Sequence, residues 1–512
     1  MKIFTKKSRQ KILFVATEAK PFARAGGLGS VMYSLPRAMA KLGYDARVMM
    51  PRYLSIEDSE KITMEYEGLE VPTDNEDGDP VFICNVKKYQ GNGDKNAPVT
   101  TYFLENMEYY EQRANVYGYA DDPIRWALLS RGVLEFIKVS SWVPDVIISA
   151  DWQTGFLPNY LKTTYKDDPK LSTIATVFSI HNLGYQGSFN HRYLSESDYD
   201  DGHSSIPSFN NPRLLKLNGI RRGIMYADAI NTVSMTYAKE IMTPEYGEGM
   251  DAILSERRGV VHGILNGIDY ESWDPSNDPL IEHQFSIEDI SSRKANKEAL
   301  QNRFGLKGDA SAFLVGIASR FKQQKGFDLL QEVLPSLVNE LNIQIVAVGE
   351  GDEKYMKFFQ DLHNQYPERV GIELKFDEVI PHLIFAGADS TLIPSLFEPS
   401  GLTQMEAMRF GTVPIVRKTG GLADTVIDYS PTRKDGDGFV FEKFDASSLL
   451  ISIVRAYENF QNIKIWKGIQ KNSMKKDFSW ESSAMKYQKL VHKAIKINDD
   501  ALAKKAGKSL KP

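Results

Sequence analysis

One cysteine in 512 residues is the sparsest feature of the sequence. Cys84 can form no intrachain disulfide, and a cysteine metal cluster is excluded. That usage fits a reducing cytosol. No apolar run approaches the ~20 residues needed to span a bilayer. The basic stretch from Met1 to Lys11 is followed by an apolar run, Ile12 to Ala16, that is too short for the core of a signal peptide and reads as a first strand. A formal net charge of -5 calls for neither a nucleic-acid nor a membrane surface. The eight histidines show no zinc spacing. Neither glycine-loop motif is complete: Met32 stands in the last glycine place of the turn at Gly26, and Leu502 stands where a P-loop ending in Gly507-Lys508-Ser509 needs its first glycine. The expectation is therefore a chain with no metal and no cofactor.

What is present is an ordinary globular composition, 42% apolar and 25% charged, in a chain too long for one core. Two halves each alternate strands and helices. In the first, strands are predicted at Lys11 to Thr17, Ala46 to Met50, Val81 to Val86, Val99 to Phe103, Val146 to Ser149, Ile174 to Ile180 and Ala229 to Val233. Helices are predicted at Ser30 to Lys41 and Ile124 to Val139, the latter with Trp126, Leu129, Val133 and Phe136 on one side. The pattern restarts after Val260 to Leu265. Strands follow at Phe313 to Ala318, Ile343 to Val348, Val370 to Leu374, Ser390 to Pro394 and Thr412 to Val416, with helices such as Leu329 to Leu341 and Thr403 to Arg409 between them. The fold class is α/β, with two doubly wound, mostly parallel domains divided near His262. Ligands in such sheets bind at the carboxyl ends of strands, so two domains facing each other would leave a cleft. Thr73 to Pro98 reads as an exposed loop, Asn190 to Pro212 as irregular, and 498–512 as a flexible tail.

The strand ends carry the chemistry. Ser395-Leu396-Phe397-Glu398-Pro399-Ser400-Gly401-Leu402-Thr403 puts a carboxylate, Glu398, on a strand-to-helix turn, followed by free backbone N–H groups at a helix N-terminus. That combination suits a ligand with sugar hydroxyls and phosphate oxygens, although an ordinary Pro-Gly turn reads the same way. Ser319-Arg320 and Lys325-Gly326 offer two cations after a strand, fit to stabilise a departing diphosphate or simply a solvated pair opening a helix. His181 and Asn182 follow another strand, where a lone histidine is more often a satisfied structural residue. Asp151 and Asn266 sit at comparable positions. Arg24 to Ser30 is a glycine turn between strand and helix, echoed by Thr419 to Asp424. The D-x-D strings at Asp77/Asp79 and Asp435/Asp437 read as turns.

Together these segments resemble the bacterial glycogen synthases and plant starch synthases over about Lys11 to Ile495. The matches are Gly26-Gly27-Leu28, Asp151-Trp152, His181-Asn182-Leu183-Gly184-Tyr185-Gln186-Gly187, Leu265-Asn266-Gly267-Ile268-Asp269, Ser319-Arg320 with Lys325-Gly326, Glu398-Pro399-Ser400-Gly401-Leu402-Thr403-Gln404, Lys418 to Val426, and Asp477-Phe478-Ser479-Trp480. The resemblance implies the GT-B fold, with an acceptor-side domain at 1–262 completed by 480–497, a nucleotide-sugar domain at 263–479, and a C-terminal helix crossing back to the first domain. It implies a cytoplasmic enzyme that moves glucose, with retention, from ADP-glucose (UDP-glucose being the alternative donor) to the nonreducing 4-hydroxyl of an α-1,4-glucan.

By the same resemblance, Arg320 and Lys325 would hold the diphosphate, and Glu398 the donor glucose hydroxyls. The Gly401-Leu402-Thr403 backbone would bond sugar and phosphate. His181 would meet the glucose 6-hydroxyl, while Asp151, Asn182 and Asn266 would position sugar and acceptor. Arg24, Gly26, Gly27, Tyr117 and Ser400 would line the substrate, and Phe376 would stack on the adenine where the family has tyrosine. The chain departs from the family pattern at Arg24, Ser30, Ala150 and Ser400. These departures keep open a related transferase with another donor or a small acceptor, and a non-catalytic glucan-binding paralogue.

Overall fold

The computed structural model describes residues 9–57, 59–91, 98–189, 195, 198–375 and 377–507. The chain divides into two compact units. The first comprises Met1–Val233, Ala238–Ile264 and Trp480–Pro512, and the second Ser234–Tyr237 and Leu265–Ser479.

The first unit is built on β1 (Lys11–Val15), β2 (Asp45–Pro51), β3 (Ile62–Pro72), β4 (Val81–Tyr89), β5 (Thr101–Glu105), β6 (Val146–Ala150), β7 (Ala175–Ile180), β8 (Ala229–Thr232) and β9 (Val261–Gly263). The sheet runs in the order β3-β4-β5-β2-β1-β6-β7-β8-β9. Six of these pairings, from β5-β2 through to β8-β9, are parallel. In a parallel sheet covered on both faces a strand is apolar throughout, and every residue of β6 and β7 is buried. Only the β3–β4–β5 end is antiparallel. There β3 is an edge strand exposed over most of its length, with no apolar run to reveal it.

The second unit holds β10 (Phe313–Ala318), β11 (Ile343–Val348), β12 (Val370–Glu373), β13 (Ser390–Ile393), β14 (Val413–Arg417) and β15 (Phe439–Phe441). Its order is β12-β11-β10-β13-β14-β15, parallel throughout. Phe313, Phe439 and Trp466 pack in its core, the last two with rings stacked at 6.2 Å.

Among the parallel strands of each sheet the order reverses at one place, between β1 and β6 in the first and between β10 and β13 in the second. Chain leaving two adjacent parallel strands there must turn to opposite faces, which opens a crevice at their carboxyl ends. The motifs at Arg24, Asp151, His181, Arg320 and Glu398 follow β1, β6, β7, β10 and β13, whereas Asn266 lies beyond β9 and the second glycine turn beyond β14.

Two expectations are corrected. Thr73 to Pro98 is not one loop, because β4 occupies Val81–Tyr89 and pairs with both β3 and β5. The tail predicted from 498 is helical as far as Lys505, because the helix Trp480–Lys505 continues into it, and its residues 508–512 lie outside those described. Buried Asn498 is the reason: it donates to the Thr173 carbonyl at 3.0 Å and accepts from Lys162 Nζ at 2.7 Å, which ties the last turns to the first unit. Among the described residues, no helix is long and apolar enough to cross a membrane.

The segment after β6 is placed by one close approach. A Cβ on Gly155 would stand 1.8 Å from the Gly219 carbonyl oxygen, and one on Gly219 would stand 2.1 Å from that of Trp152. Backbone meets backbone here, so neither side chain could move aside. Gly155→Ala is expected to destabilise the protein by about 1–3 kcal/mol or more, the scale of core overpacking. Urea unfolding of the variant measures this, and a wild-type midpoint would contradict the packing.

Candidate active site

In the first unit, two carboxylates accept from the backbone of strand-end loops. Glu18, just beyond β1, is buried, and its Oε2 accepts from the backbone N–H groups of Ala25 at 2.5 Å and Gly26 at 2.8 Å. Glu18 thereby shapes the glycine turn and leaves Arg24, Gly26 and Gly27 exposed. Tyr117 closes on the same carboxylate, donating to Glu18 Oε1 at 3.3 Å while its hydroxyl also meets Thr17 Oγ1 at 2.7 Å. Burial and the charge of Glu18 push the Tyr117 phenol well above its ordinary range, so it stays protonated.

Asp151 follows β6 with φ +57, a conformation that aspartate tolerates better than most residues. Its Oδ1 accepts from the backbone N–H of His181 at 2.7 Å and of Asn182 at 3.2 Å. The loop after β7 is thus tied to the end of β6. Desolvation raises the Asp151 carboxyl above its usual value against the opposing pull of His181, and desolvation lowers the His181 imidazole. The Asn182 side-chain Oδ1 is used locally, accepting from Gly184 N at 3.0 Å. Asp151, His181 and Asn182 therefore stand together, with Tyr117 and Glu18 acting on them electrostatically.

In the second unit, Lys325 beyond β10 donates to Glu398 Oε2 at 2.5 Å, and Ser395 Oγ donates to the same oxygen at 3.0 Å. Glu398 is 8% exposed, and its Oε1 has no partner among the described residues. The two loops are further joined by Leu396 N to the Gln324 carbonyl at 2.8 Å and by Gln324 Nε2 to the Phe397 carbonyl at 3.2 Å. Arg320 is exposed at the end of β10, with no ion pair among the described residues. Beyond Glu398, Ser400 is buried with its hydroxyl unpartnered. Gly401 has φ +63, and Leu402 leads into the helix Thr403–Arg409, whose first turn has no side-chain cap. Asn266 is also buried with Oδ1 unpartnered, and no hydrogen bond joins it to the Glu398 cluster. Phe376 lies outside the described residues.

The two glycine turns differ in use. A Cβ on Gly27 would meet nothing within 4 Å, whereas one on Gly421 would fall 1.7 Å from the Ser400 carbonyl oxygen. Gly421 N donates to the Glu398 carbonyl at 3.0 Å. The second turn therefore approaches the chain's own backbone and braces the Glu398 loop, where the echo between the two turns suggests approach to a ligand. Glu18 and Ser395 were not legible as site residues, although a carboxylate just past β1 beside a glycine turn was the available signal for Glu18. Of the D-x-D strings, Asp437 is buried, accepts from Ile427 N at 2.8 Å and pairs with Lys476. Among the described residues, no group of three or more His, Cys, Asp or Glu could hold a metal ion.

Removing the Asp151 acceptor should leave two loop N–H groups unpaired. Asp151→Ala is expected to cost about 1–3 kcal/mol, and Asp151→Asn less because it keeps an acceptor and tolerates positive φ. Equal losses in urea unfolding would show that the two backbone bonds are not what Asp151 contributes.

Residues 11–256 match the family model described as the starch synthase catalytic domain, and residues 299–466 match that described as glycosyl transferases group 1. The glycogen synthase of Geotalea daltonii is 39% identical over 94% of this chain and 98% of its own length. That of Thermotoga petrophila is 40% identical over 95% and 99%. The catalytic domain of starch synthase IV from Arabidopsis thaliana, solved bound to ADP and acarbose, superposes with a TM-score of 0.80 at 30% identity, covering 96% of this chain and all of that one. A sucrose-phosphate synthase from Thermosynechococcus elongatus, at 18% identity and a TM-score of 0.54, shares the fold alone.

Proposed function

We infer the reaction from the premise that this chain belongs to the glycogen synthase family of glycosyltransferases. The protein is a GT-B glucosyltransferase that elongates an α-glucan. Its proposed donor is ADP-glucose and its proposed acceptor the nonreducing 4-hydroxyl of an α-1,4-glucan, in the cytoplasm and without a membrane partner. The observation that carries this reading is the second unit's strand-order reversal, where Lys325 and Glu398 pair and Arg320 stands exposed on the same loop after β10.

Breaking the sugar–phosphate bond builds negative charge on the diphosphate, and preorganised cations stabilise that charge without rearranging. Lys325 is already held by Glu398, and Arg320 offers a planar fork for phosphate oxygens. The proposed role of Glu398 is to hold donor glucose hydroxyls through Oε1. Its Oε2 is occupied by two donors, which suits a positioning carboxylate and not one that attacks carbon. Same-face attack is therefore the proposed route to retention, with the leaving phosphate taking the acceptor's proton. A trapped glucosyl–enzyme adduct would overturn that route.

The proposed phosphate and sugar contacts continue through the backbone of Gly401, Leu402 and Thr403, with the Ser400 and Asn266 side chains as polar groups still lacking a partner. The open Gly26-Gly27 turn with Arg24, the Tyr117 phenol, and the Asp151–His181–Asn182 loop are proposed to serve the same reaction from the first unit. His181 is proposed to contact the glucose 6-hydroxyl. The starch synthase IV structure supports a nucleotide and a glucan-like ligand for this fold, because it was solved with ADP and acarbose.

Purified protein incubated with labelled ADP-glucose or UDP-glucose, with and without glycogen, tests the reading. Glucan extension from ADP-glucose is expected. Transfer to small acceptors only, or glycogen binding without turnover, would overturn it, and preference for UDP-glucose would overturn the donor assignment. Glu398→Ala is expected to lower turnover by at least ~100-fold, the scale of losing one preorganised transition-state contact. Near-normal turnover would remove Glu398 from its role.

A further inference from the structure

The His181 ring is held by a buried polar chain that no part of the reaction above uses. Its Nε2 lies 3.1 Å from Ser179 Oγ. The side-chain amide of Asn231, on β8, donates through Nδ2 to Ser179 Oγ at 3.0 Å and to the Tyr487 phenol at 2.8 Å. Tyr487 stands on the C-terminal helix Trp480–Lys505, and all four residues belong to the first unit. Asn231 and Tyr487 are both 0% exposed, and Ser179 is 1%.

The hydrogens in this chain can be placed by counting. As it stands, the Asn231 amide uses both Nδ2 hydrogens, and only its Oδ1 lacks a partner. Turned over, it would use the oxygen and strand two N–H donors in the interior. Two unpaired buried donors cost more than one unpaired carbonyl, so Nδ2 faces the two hydroxyls. Ser179 Oγ thus receives a hydrogen from Asn231 and has one of its own to give. Among the described residues the acceptor within hydrogen-bond reach of that hydrogen is His181 Nε2, and an Nε2–H pointing back at Ser179 Oγ would strand the buried serine hydrogen.

An imidazole that accepts at Nε2 and is neutral must carry its proton on Nδ1. Desolvation favours the neutral ring, while the charges acting on it, Asp151 and Glu18, pull the other way. Nδ1 makes no hydrogen bond among the described residues, so its proton is available.

We propose that Ser179, Asn231 and Tyr487 form a relay that holds His181 as its Nδ1–H tautomer, presenting a donor at Nδ1 to a substrate hydroxyl oxygen. The proposal rests on the reading of His181 as a sugar contact. The three residues are positioning residues, and the C-terminal helix acts on the ring through one phenol. A substrate oxygen meeting Nδ1–H gains a donor; the opposite tautomer would present a lone pair and demand a hydrogen instead.

Histidine-selective ¹⁵N labelling of the full chain reads the tautomer directly in the absence of substrate. The signals of His181 are identified among the eight histidines by their loss in His181→Gln. The wild type is expected to show a protonated Nδ1 and an unprotonated Nε2. Ser179→Ala should move the tautomer ratio toward Nε2–H by about tenfold, the scale of one net hydrogen bond, and Ser179→Thr should restore it. With ADP-glucose and glycogen, Ser179→Ala should lose kcat by about tenfold with KM changed far less, as for other partners that orient a functional histidine, and Ser179→Thr should recover it. A proton on Nε2 in the wild type, or a ratio that Ser179→Ala leaves unmoved, overturns the relay. Failure of the underlying reading would appear separately, as near-normal turnover in His181→Ala.

Discussion

A carboxylate bonded to the backbone of the neighbouring strand-end loop is the interaction on which the first unit's site depends. Parallel strands buried on both faces are mostly apolar along their length, and ligands are met by the loops at their carboxyl ends. Loops carry unpaired backbone N–H groups, which are costly unless something accepts from them. Asp151 accepts from two, those of His181 and Asn182, and Glu18 from two more, those of Ala25 and Gly26. Asp151 satisfies the loop of the next strand and Glu18 satisfies its own loop, and each fixes where the side chains of that loop begin.

The second unit solves the same problem with the roles exchanged. Glu398 is itself held, by Lys325 and Ser395 on one oxygen, while its loop is braced by Gly421 and by Gln324. A carboxylate with one oxygen fixed and the other free can bind a hydroxyl at a defined position without paying to reorganise. The Lys325 charge is likewise preset, so the cation needed by a departing diphosphate is in place before the bond breaks. The pair is a structural contact and, in the proposed reaction, a functional one at once.

Much of this was readable. The helix Thr403–Arg409 and the strands Phe313–Ala318 and Ile343–Val348 fall where apolar runs and glycine stops predict them, because a buried parallel strand announces itself by composition. The edge strand Ile62–Pro72 was missed for the converse reason, being exposed over most of its length with no continuous apolar run. Helices such as Arg293–Arg303 and Ile463–Met474 bury only a narrow set of positions amid lysine, asparagine and glutamine, and their pattern is correspondingly faint. In the site, charged residues at strand ends were legible one by one, since each looks out of place beside an apolar run. Ser179, Asn231, Tyr487 and Ser395 were not, because a hydroxyl or an amide inside a strand or helix is unremarkable until its partner is known.

By itself the sequence determined the two α/β halves, the family, and the identity of the strand-end side chains, because these follow from local composition and from motifs in a fixed order. The tertiary structure alone decided which of those side chains meet. That Glu398 is gripped by Lys325, that Asp151 spends an oxygen on the His181 loop, and that a phenol on the C-terminal helix connects through Asn231 and Ser179 to the His181 ring are facts of strand order and register. Residues 52 positions apart, such as Ser179 and Asn231, become neighbours only when β7 and β8 pair. No local pattern records that pairing.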